Sequence, residues 1–456
     1  MTEHNKIIRG AKKGGEPRTP VEHPDSLQST QFARVMDVIS EGEIDQIEGG
    51  AAGILLDDTP LSNFSNAEFV IRTGTQTQTY ISGGDGIEAT TSVGLPVTVA
   101  GGPLTRTITA NTTDRVRITI EIPTLQIITD EGDIIGHEVR FSIAVQYNGG
   151  GFNTVKTQTI KGKTSNAYTK SITIGISGSF PVDIRVTRIS ADETSAKRQN
   201  TIKWASFTTI IDEKLRYPNT ALTFLELDAR NFSNIPARKY LIRGIKVQIP
   251  HNATVDTTTY LGRITYSGLF NGTLGAATWT NDPAWILYDL LRNDRYGCGI
   301  DAAHLDVFDF YAISQYCNET VSDGKGGVEP RFSLNVVLNT RKEVFTVIKE
   351  LVNIFRGLAF FSSGSFVIKQ DKPTDSTYVI NPSNVVDGFF EYNGTSHKSR
   401  HTCVTVAYQS YDMLGEVQFE RVEDADAVRV YGSITKEVKS LGCYSQSQAH
   451  RLGRWI

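Results

Sequence analysis

The feature that most limits what this chain can fold into is a pair of alternating runs. Val116, Ile118, Ile120 and Ile122 are separated by Arg117, Thr119 and Glu121. Val139, Phe141, Ile143, Val145 and Tyr147 repeat the spacing, with Arg140, Ser142 and Gln146 between them. Successive side chains of a strand point to opposite faces, so each run buries one face and wets the other. The second run ends at Asn148-Gly149-Gly150-Gly151, residues that accept the positive φ of a hairpin turn. Val182, Ile184 and Val186 supply a further strand of the same kind. One-sided strands need a second apolar layer, so the spacing predicts a β-sandwich over residues 103–211.

The flanks read differently. Residues 29–102 alternate short apolar stretches with glycine breaks at Gly49-Gly50, Gly83-Gly84 and Gly101-Gly102, which predicts a β-rich domain. That domain is expected to resume over 212–280, making the sandwich an insertion. Residues 1–28 carry Lys6, Arg9, Lys12, Lys13 and Arg18 among Gly14, Gly15, Pro17, Pro20 and Pro24. They predict a basic flexible arm, either a plain tail or one that docks a partner.

Residues 281–372 predict an α+β unit. Asp282 before Pro283 is a helix start, followed by Ala284, Leu287 and Leu291 at helical spacing. A second helix is expected near Asp301, with Leu305, Phe308, Ala312 and Tyr316 on one face. A third has a capping box in Thr340 and Glu343, a stripe Val344, Val347, Ile348, Leu351 and Phe355, and Gly357 as its left-handed stop. Leu358–Lys369 reads as a hairpin about Ser363-Gly364. Residues 373–456 return to β signals such as Val404-Thr405-Val406. They end in a helix from about Ser445, with Ala449, Leu452 and Trp455 or Ile456 on one face. A helix with such a face at the chain end predicts either docking on the preceding domain or a chain cut short of a complete fold. The fold class is therefore mainly β with an α+β part, in several domains.

Composition narrows function only by exclusion. The 456 residues suffice for about three domains. A net charge of −4 does not mark the whole chain as a nucleic-acid binder. No run approaches the ~20 apolar residues of a membrane span. The segment Met1–Thr19 lacks the apolar centre of a secretory signal, so accumulation in a cytoplasm is expected. Cys298, Cys317, Cys403 and Cys443 form no Cys-x-x-Cys pair and read as free, largely buried thiols.

The search for chemistry is equally negative. Gly162-Lys163-Thr164 imitates the end of a phosphate-binding loop, but Thr157 stands where that loop needs glycine, so it reads as a turn. Asp323-Gly324-Lys325-Gly326-Gly327 lacks the spaced oxygen ligands of a calcium loop. Asp57-Asp58 and Glu423, Asp424 and Asp426 offer carboxylates for glycoside hydrolysis, but adjacent acids on a wet loop explain them as well. His397 and His401 stand four apart on what reads as an exposed turn. Tyr217, Trp279 and Tyr296 could stack on carbohydrate or pack a core. No catalytic, cofactor-binding or metal residue is assigned, and no cofactor is expected.

Short collinear blocks then carry a resemblance. They include Ser26–Gln31, Val38–Gly42, Thr159–Thr164, Tyr217–Leu222, Arg295–Gly297 and Gln315–Cys317. They continue through Asp323-Gly324, Gly326-Gly327, Glu329–Arg331, Gln370-Asp371, Ser383–Val386, Arg400-His401, Gly442-Cys443 and Gln448–Arg451. In this order the chain resembles the N-terminal hub portion of the tail-tip attachment proteins (host specificity protein J) of lambda-like siphophages. The resemblance implies a non-enzymatic part of the virion, assembled in the host bacterial cytoplasm as a homotrimer. It implies contacts with other tail-tip proteins, the tail tube end and the tape-measure protein. Phage DNA would pass through the lumen without sequence-specific binding. A host outer-membrane receptor would be met only through a C-terminal fibre. The tip would close the tail tube and couple attachment to DNA ejection. Two other readings stand beside it. The Gly-rich sandwich with acidic loops suggests a carbohydrate-binding or carbohydrate-cleaving module, and the missing fibre suggests a truncated prophage product.

Overall fold

The chain is described here as a computed structural model covering residues 18–29, 32–84, 86–259, 261–339, 341–362, 364–394, 396 and 400–456. Its first half contains β1 (Phe32–Glu41), β2 (Ala67–Thr73), β3 (Gly86–Val97), β4 (Leu104–Ile108) and β5 (Arg115–Ile122). These are followed by β6 (His137–Tyr147), β7 (Asn153–Gly162), β8 (Tyr168–Gly175), β9 (Val182–Arg188), β10 (Ile202–Asp212) and β11 (Thr220–Asp228). Shorter strands, such as Ile44–Ile47 and Ile54–Leu56, close the same region.

The first sheet has the order β1-β11-β2, all antiparallel. Its central strand, β11, buries Leu222 and Phe224 on one side and Leu225 and Leu227 among a second apolar cluster. A central strand can be apolar on both faces because both are covered. Thr73 on β2 lies opposite Ala221 on β11, so everything from β3 to β10 leaves and returns between neighbouring strands of one sheet.

That intervening unit is a two-layer sandwich. One sheet runs β8-β5-β10-β3 and the other β7-β6-β9-β4. Val116, Ile118, Ile120 and Ile122 from the first meet Val139, Phe141, Ile143 and Val145 from the second in one core. Every one of these is essentially inaccessible to water, and full burial contributes about 1.5–3 kcal/mol per side chain of this size. Asn148 and Gly149, both at positive φ, turn β6 into β7. The sandwich reaches further back than the glycine break at 101–102 suggested. β3, placed in the preceding domain on sequence, pairs along β10 from Ile211 to Ile202. β3 is exposed along almost its whole length and rich in Thr and Ser, so it has no apolar alternation to betray it.

Residues 18–28, expected to be part of a flexible arm, are laid along the sandwich. His23 N donates to Ile134 O, and Ser26 N and Leu27 N donate to Lys163 O. Leu27 packs against the sandwich core. The remainder of the expected arm, residues 1–17, lies outside the described residues.

The α+β unit comprises α1 (Pro283–Arg292), α2 (Val307–Cys317), α3 (Val344–Ile354), β12 (Gly357–Ser362) and β13 (Ser365–Gln370) around one core. Asp282 caps α1 through its side chain, which accepts from Trp285 N. The second helix differs from expectation. Asp301 caps only a short 3-10 turn, Ala302–His304, and Asp306 starts α2. The buried stripe of α2 is Phe310, Ile313, Ser314 and Cys317, while Phe308 faces out against Phe270. α3 begins after Glu343, which makes no side-chain cap, and Thr340 lies outside the described residues. Its left-handed residue is Arg356, not Gly357. Gly357 is instead required for room, because a Cβ there would sit 2.5 Å from the Phe355 ring and 2.6 Å from Val352.

The last unit is a sheet of β14 (Cys403–Gln409), β15 (Val417–Glu423) and β16 (Thr435–Lys439), with α4 (Ala425–Tyr431) between the latter two. β14 is central, antiparallel to β15 and parallel to β16. α5 (Gln446–Trp455) is capped by Ser445, whose hydroxyl accepts from Gln448 N. This helix docks on the preceding sheet. Ala449 is fully buried, Leu452 packs on Val404 and its neighbours, and Gly453 lies against Val422.

Candidate assembly interface

The residues considered for chemistry do not converge. Lys163 is buried in an ion pair with Glu22 and Asp25 at 2.7 and 2.8 Å. It fastens the N-terminal segment to the sandwich and does not face an open cradle. Asp57 and Asp58 sit in a tight turn at positive φ, where Asp57 accepts from Ala237 N and Asp58 pairs with Lys239. Asp424 caps α4, while Glu423 pairs with Arg421 and Asp426 with Arg429. Asp323 accepts from the backbone N–H groups of Lys325 and Gly327, and these hold its carboxyl below the usual range. His397 lies outside the described residues and His401 is exposed. Among the described residues, no group of three His, Cys, Asp or Glu could hold a metal ion.

The aromatics have structural partners. Trp279 is buried under the Arg243 guanidinium, and the Tyr296 hydroxyl donates to Asp289 Oδ2 at 2.7 Å. Tyr217 packs in the small cluster beside Leu222 and Phe224. The four cysteines are free; burial pushes the Cys443 thiol up to about 11 and raises Cys317 as well, so neither is a ready nucleophile.

What the structure does leave uncovered is apolar side chains, and they are frequent after residue 336. The hairpin of β12 and β13 packs Ala359, Phe366 and Ile368 inward against the helices. Its outer face carries Leu358 opposite Lys369 and Phe360 opposite Val367, with Leu358 66% exposed. At the hairpin tip Phe361 is 61% exposed, and at the start of α3 Val344 and Phe345 stand in solvent. Next along the chain, Tyr378, Val379, Ile380, Phe389 and Tyr392 are all more than half exposed on a segment outside any strand, with a 3-10 turn at Val386–Gly388. On the face of the last sheet away from α5, Val417 and Phe419 of β15 are exposed beside Ala407 of β14.

Monomeric proteins rarely leave large apolar patches in water, and a two-stranded hairpin with an open apolar face is marginal by itself. Sequence reasoning missed this surface. The run Tyr378-Val379-Ile380 is visible in the sequence, but an apolar run marks a core as readily as an interface until its neighbours are known.

Underneath, the surface is held firmly. Arg451 of α5 donates to Glu329 Oε1 at 2.7 Å and to Arg331 O at 2.9 Å. Gln448 accepts from Ser333 N and donates back to Ser333 O. The last sheet is thereby fixed through α5 to the α+β unit, so the apolar patches are presented on a stiff base.

Comparison with known proteins adds identity. Residues 87–213 match the family model described as the FNIII-A domain of tip attachment protein J, the same stretch as the sandwich from β3 to β10. Tip attachment protein J of Escherichia phage SECphi27 is 33% identical over 99% of this chain and 38% of its own length. Its counterpart in Escherichia phage SECphi4 is 35% identical over 97% of this chain and 39% of its own length. Among solved structures, one described as "CBM4 structure and function" matches with a TM-score of 0.14 and 8% identity, over 44% of this chain and 99% of that one. Likeness at that level carries no weight for fold or for carbohydrate binding. The chain spans about two-fifths of the length of the curated relatives it matches. With its sandwich matching the family's own domain and its whole length aligned to two members, the chain belongs to the tip attachment protein J family.

Proposed function

We propose that this chain is a structural part of a phage tail tip and works as an assembly hub without catalysis of its own. The observation that carries this reading is the open apolar surface after residue 336, fixed on a rigid base. A surface of this kind is what a subunit needs if it is completed by its neighbours. In this reading the chain is a virion component, put together in the host cytoplasm as a homotrimer around the tail axis, cyclic closure being the usual way to saturate such surfaces. Its neighbours are other tail-tip proteins, the last ring of the tail tube and the tape-measure protein. The hub closes the tube and opens when attachment pulls on it. DNA then passes a lumen that makes no sequence-specific contact, which suits a chain of slightly negative net charge. A host receptor is met by parts of the whole protein beyond this hub.

The test is placement and stoichiometry. Gold labelling of a tagged chain in purified particles is expected to mark the tail tip. Sedimentation of the purified chain is expected to give three copies per complex. Label on the capsid, or none on particles, removes the reading.

A further inference from the structure

We propose that segment 373–394 of one copy is gripped by the β12–β13 hairpin of a neighbouring copy, its run Tyr378–Ile380 adding a strand along the free edge of β12. The inference rests on the self-assembly reading above and names the partner of its apolar surface.

Acceptor and donor are both in view. β12 pairs only with β13, so its other edge presents unpaired backbone groups among the described residues. The outer face beside that edge carries Leu358, Phe360 and Val367. An unpaired edge with an apolar face is a template for another strand. The donor run lies in a stretch, 371–381, that forms no helix, strand or turn. Tyr378, Val379 and Ile380 are 69%, 71% and 67% exposed, and among the described residues their backbone N–H groups find no acceptor. Asn384 braces the run, its Nδ2 donating to Val379 O at 2.8 Å and its Oδ1 accepting from Asn381 N at 2.9 Å. A braced strand loses less freedom on docking than a loose one.

Charge fits the same pairing. Segment 373–394 contains Asp375, Asp387 and Glu391 and no Lys or Arg. The acceptor region 341–372 holds six basic residues against three acidic ones, with Arg341 and Lys349 exposed near the open start of α3. Unlike charges on the two surfaces favour this partner over a like-charged one. Donor and acceptor lie on one chain, and among the described residues no strand pairing joins them, so the occupant that satisfies both in every subunit is a second copy. Head-to-tail exchange of this kind closes into a ring when the rotation between copies divides a full turn.

The experiment uses the full chain. Tyr378 is replaced by the photoreactive p-benzoylphenylalanine, and unlabelled and ¹⁵N-labelled chains are assembled together, irradiated and digested with trypsin. The hairpin falls within one peptide, Gly357–Lys369. The expected product joins a labelled donor peptide to an unlabelled hairpin peptide. Phe360→Asp and Leu358→Asp are expected to raise the dissociation constant of self-association about tenfold or more, with the near-ultraviolet circular dichroism unchanged. Raising NaCl from about 0.05 to about 0.5 M should also weaken association. Adducts confined to one isotope overturn the exchange in favour of a clasp within the chain. Oligomers that give no hairpin adduct overturn the exchange and leave self-assembly standing. A chain that stays monomeric at every concentration removes both.

Discussion

Lys163 shows how one side chain changes the meaning of a motif. Its sequence neighbours suggested a bare turn, yet its ammonium group holds Glu22 and Asp25 and also donates to Ser165 Oγ. The hydrogen bond from Lys163 lowers the Asp25 carboxyl, and the same contact raises Lys163 above the ordinary lysine value. The two shifts bound a pH window. Asp25 contributes stability above the carboxylate range and loses it as pH falls through its depressed value. Lys163 contributes below the usual lysine value and loses it as pH rises through its elevated one. Lys163→Met is therefore expected to speed amide exchange at His23, Ser26 and Leu27 at neutral pH while leaving strand β5 protected. Exchange at β5 rising equally would show that the whole sandwich had loosened. Gly453 makes the opposite point, since its value lies in having no side chain. A Cβ there would stand 2.7 Å from Val422 Cγ2, so Gly453→Leu should lift α5 from the sheet and cost about 1–3 kcal/mol in urea unfolding.

At the scale of elements, α1 was fully legible because its signals are local. Asp282, Pro283 and the stripe Ala284, Leu287 and Leu291 all lie within ten consecutive residues, each no more than four from the next. What could not be read is that the same carboxylate also accepts from Ser314 and Asn318 of the α2 end at 2.5 Å, locking two helices together. Asp282→Ala should therefore cost more than a cap, about 2–4 kcal/mol, because two buried donors lose their acceptor. Burial pushes the Asp282 carboxyl up, so the folded state holds its proton to higher pH than the unfolded chain. Stability from this group then falls as pH rises from the ordinary carboxylate value to the elevated one. Asp282→Asn, which keeps one acceptor oxygen and carries no charge, should gain on the parent as pH rises through that window; a constant difference would refute the assignment. α2 was misread because two aspartates compete as caps five residues apart, and only burial of Phe310 and Ile313 decides which stripe faces the core.

On the scale of the whole molecule, the sandwich departs from and returns to one sheet. β2 and β11 are neighbours whether or not β3–β10 lie between them. Replacing residues 87–213 by a short Gly-Ser loop is expected to leave a folded chain, because loop closure at that point costs about 1 kcal/mol per few doublings of length and the hub cluster of Leu225 and Leu227 stays intact. Far-ultraviolet circular dichroism retaining the helical signal, with a single unfolding transition, checks it; a molten product would show that the hub depends on the sandwich. The same excision should free residues 18–29, whose contacts are with the loops after β5 and β7, the start of β8 and the sandwich core.

The sequence by itself determined what depends on near neighbours: the alternating strands of the sandwich, the turn at Asn148, the caps at Asp282 and Ser445, and the family to which the blocks belong. Periodicity and capping act over a few residues, so they are written in the chain. Tertiary structure alone decided what depends on distant partners. It placed the polar edge strand β3 in the sandwich, turned part of an expected arm into a strap on Lys163, docked α5 on Val422, and left Leu358, Phe360 and Tyr378 uncovered. Whether an apolar residue is core or interface is a property of what lies across from it, and no spacing along the chain encodes that.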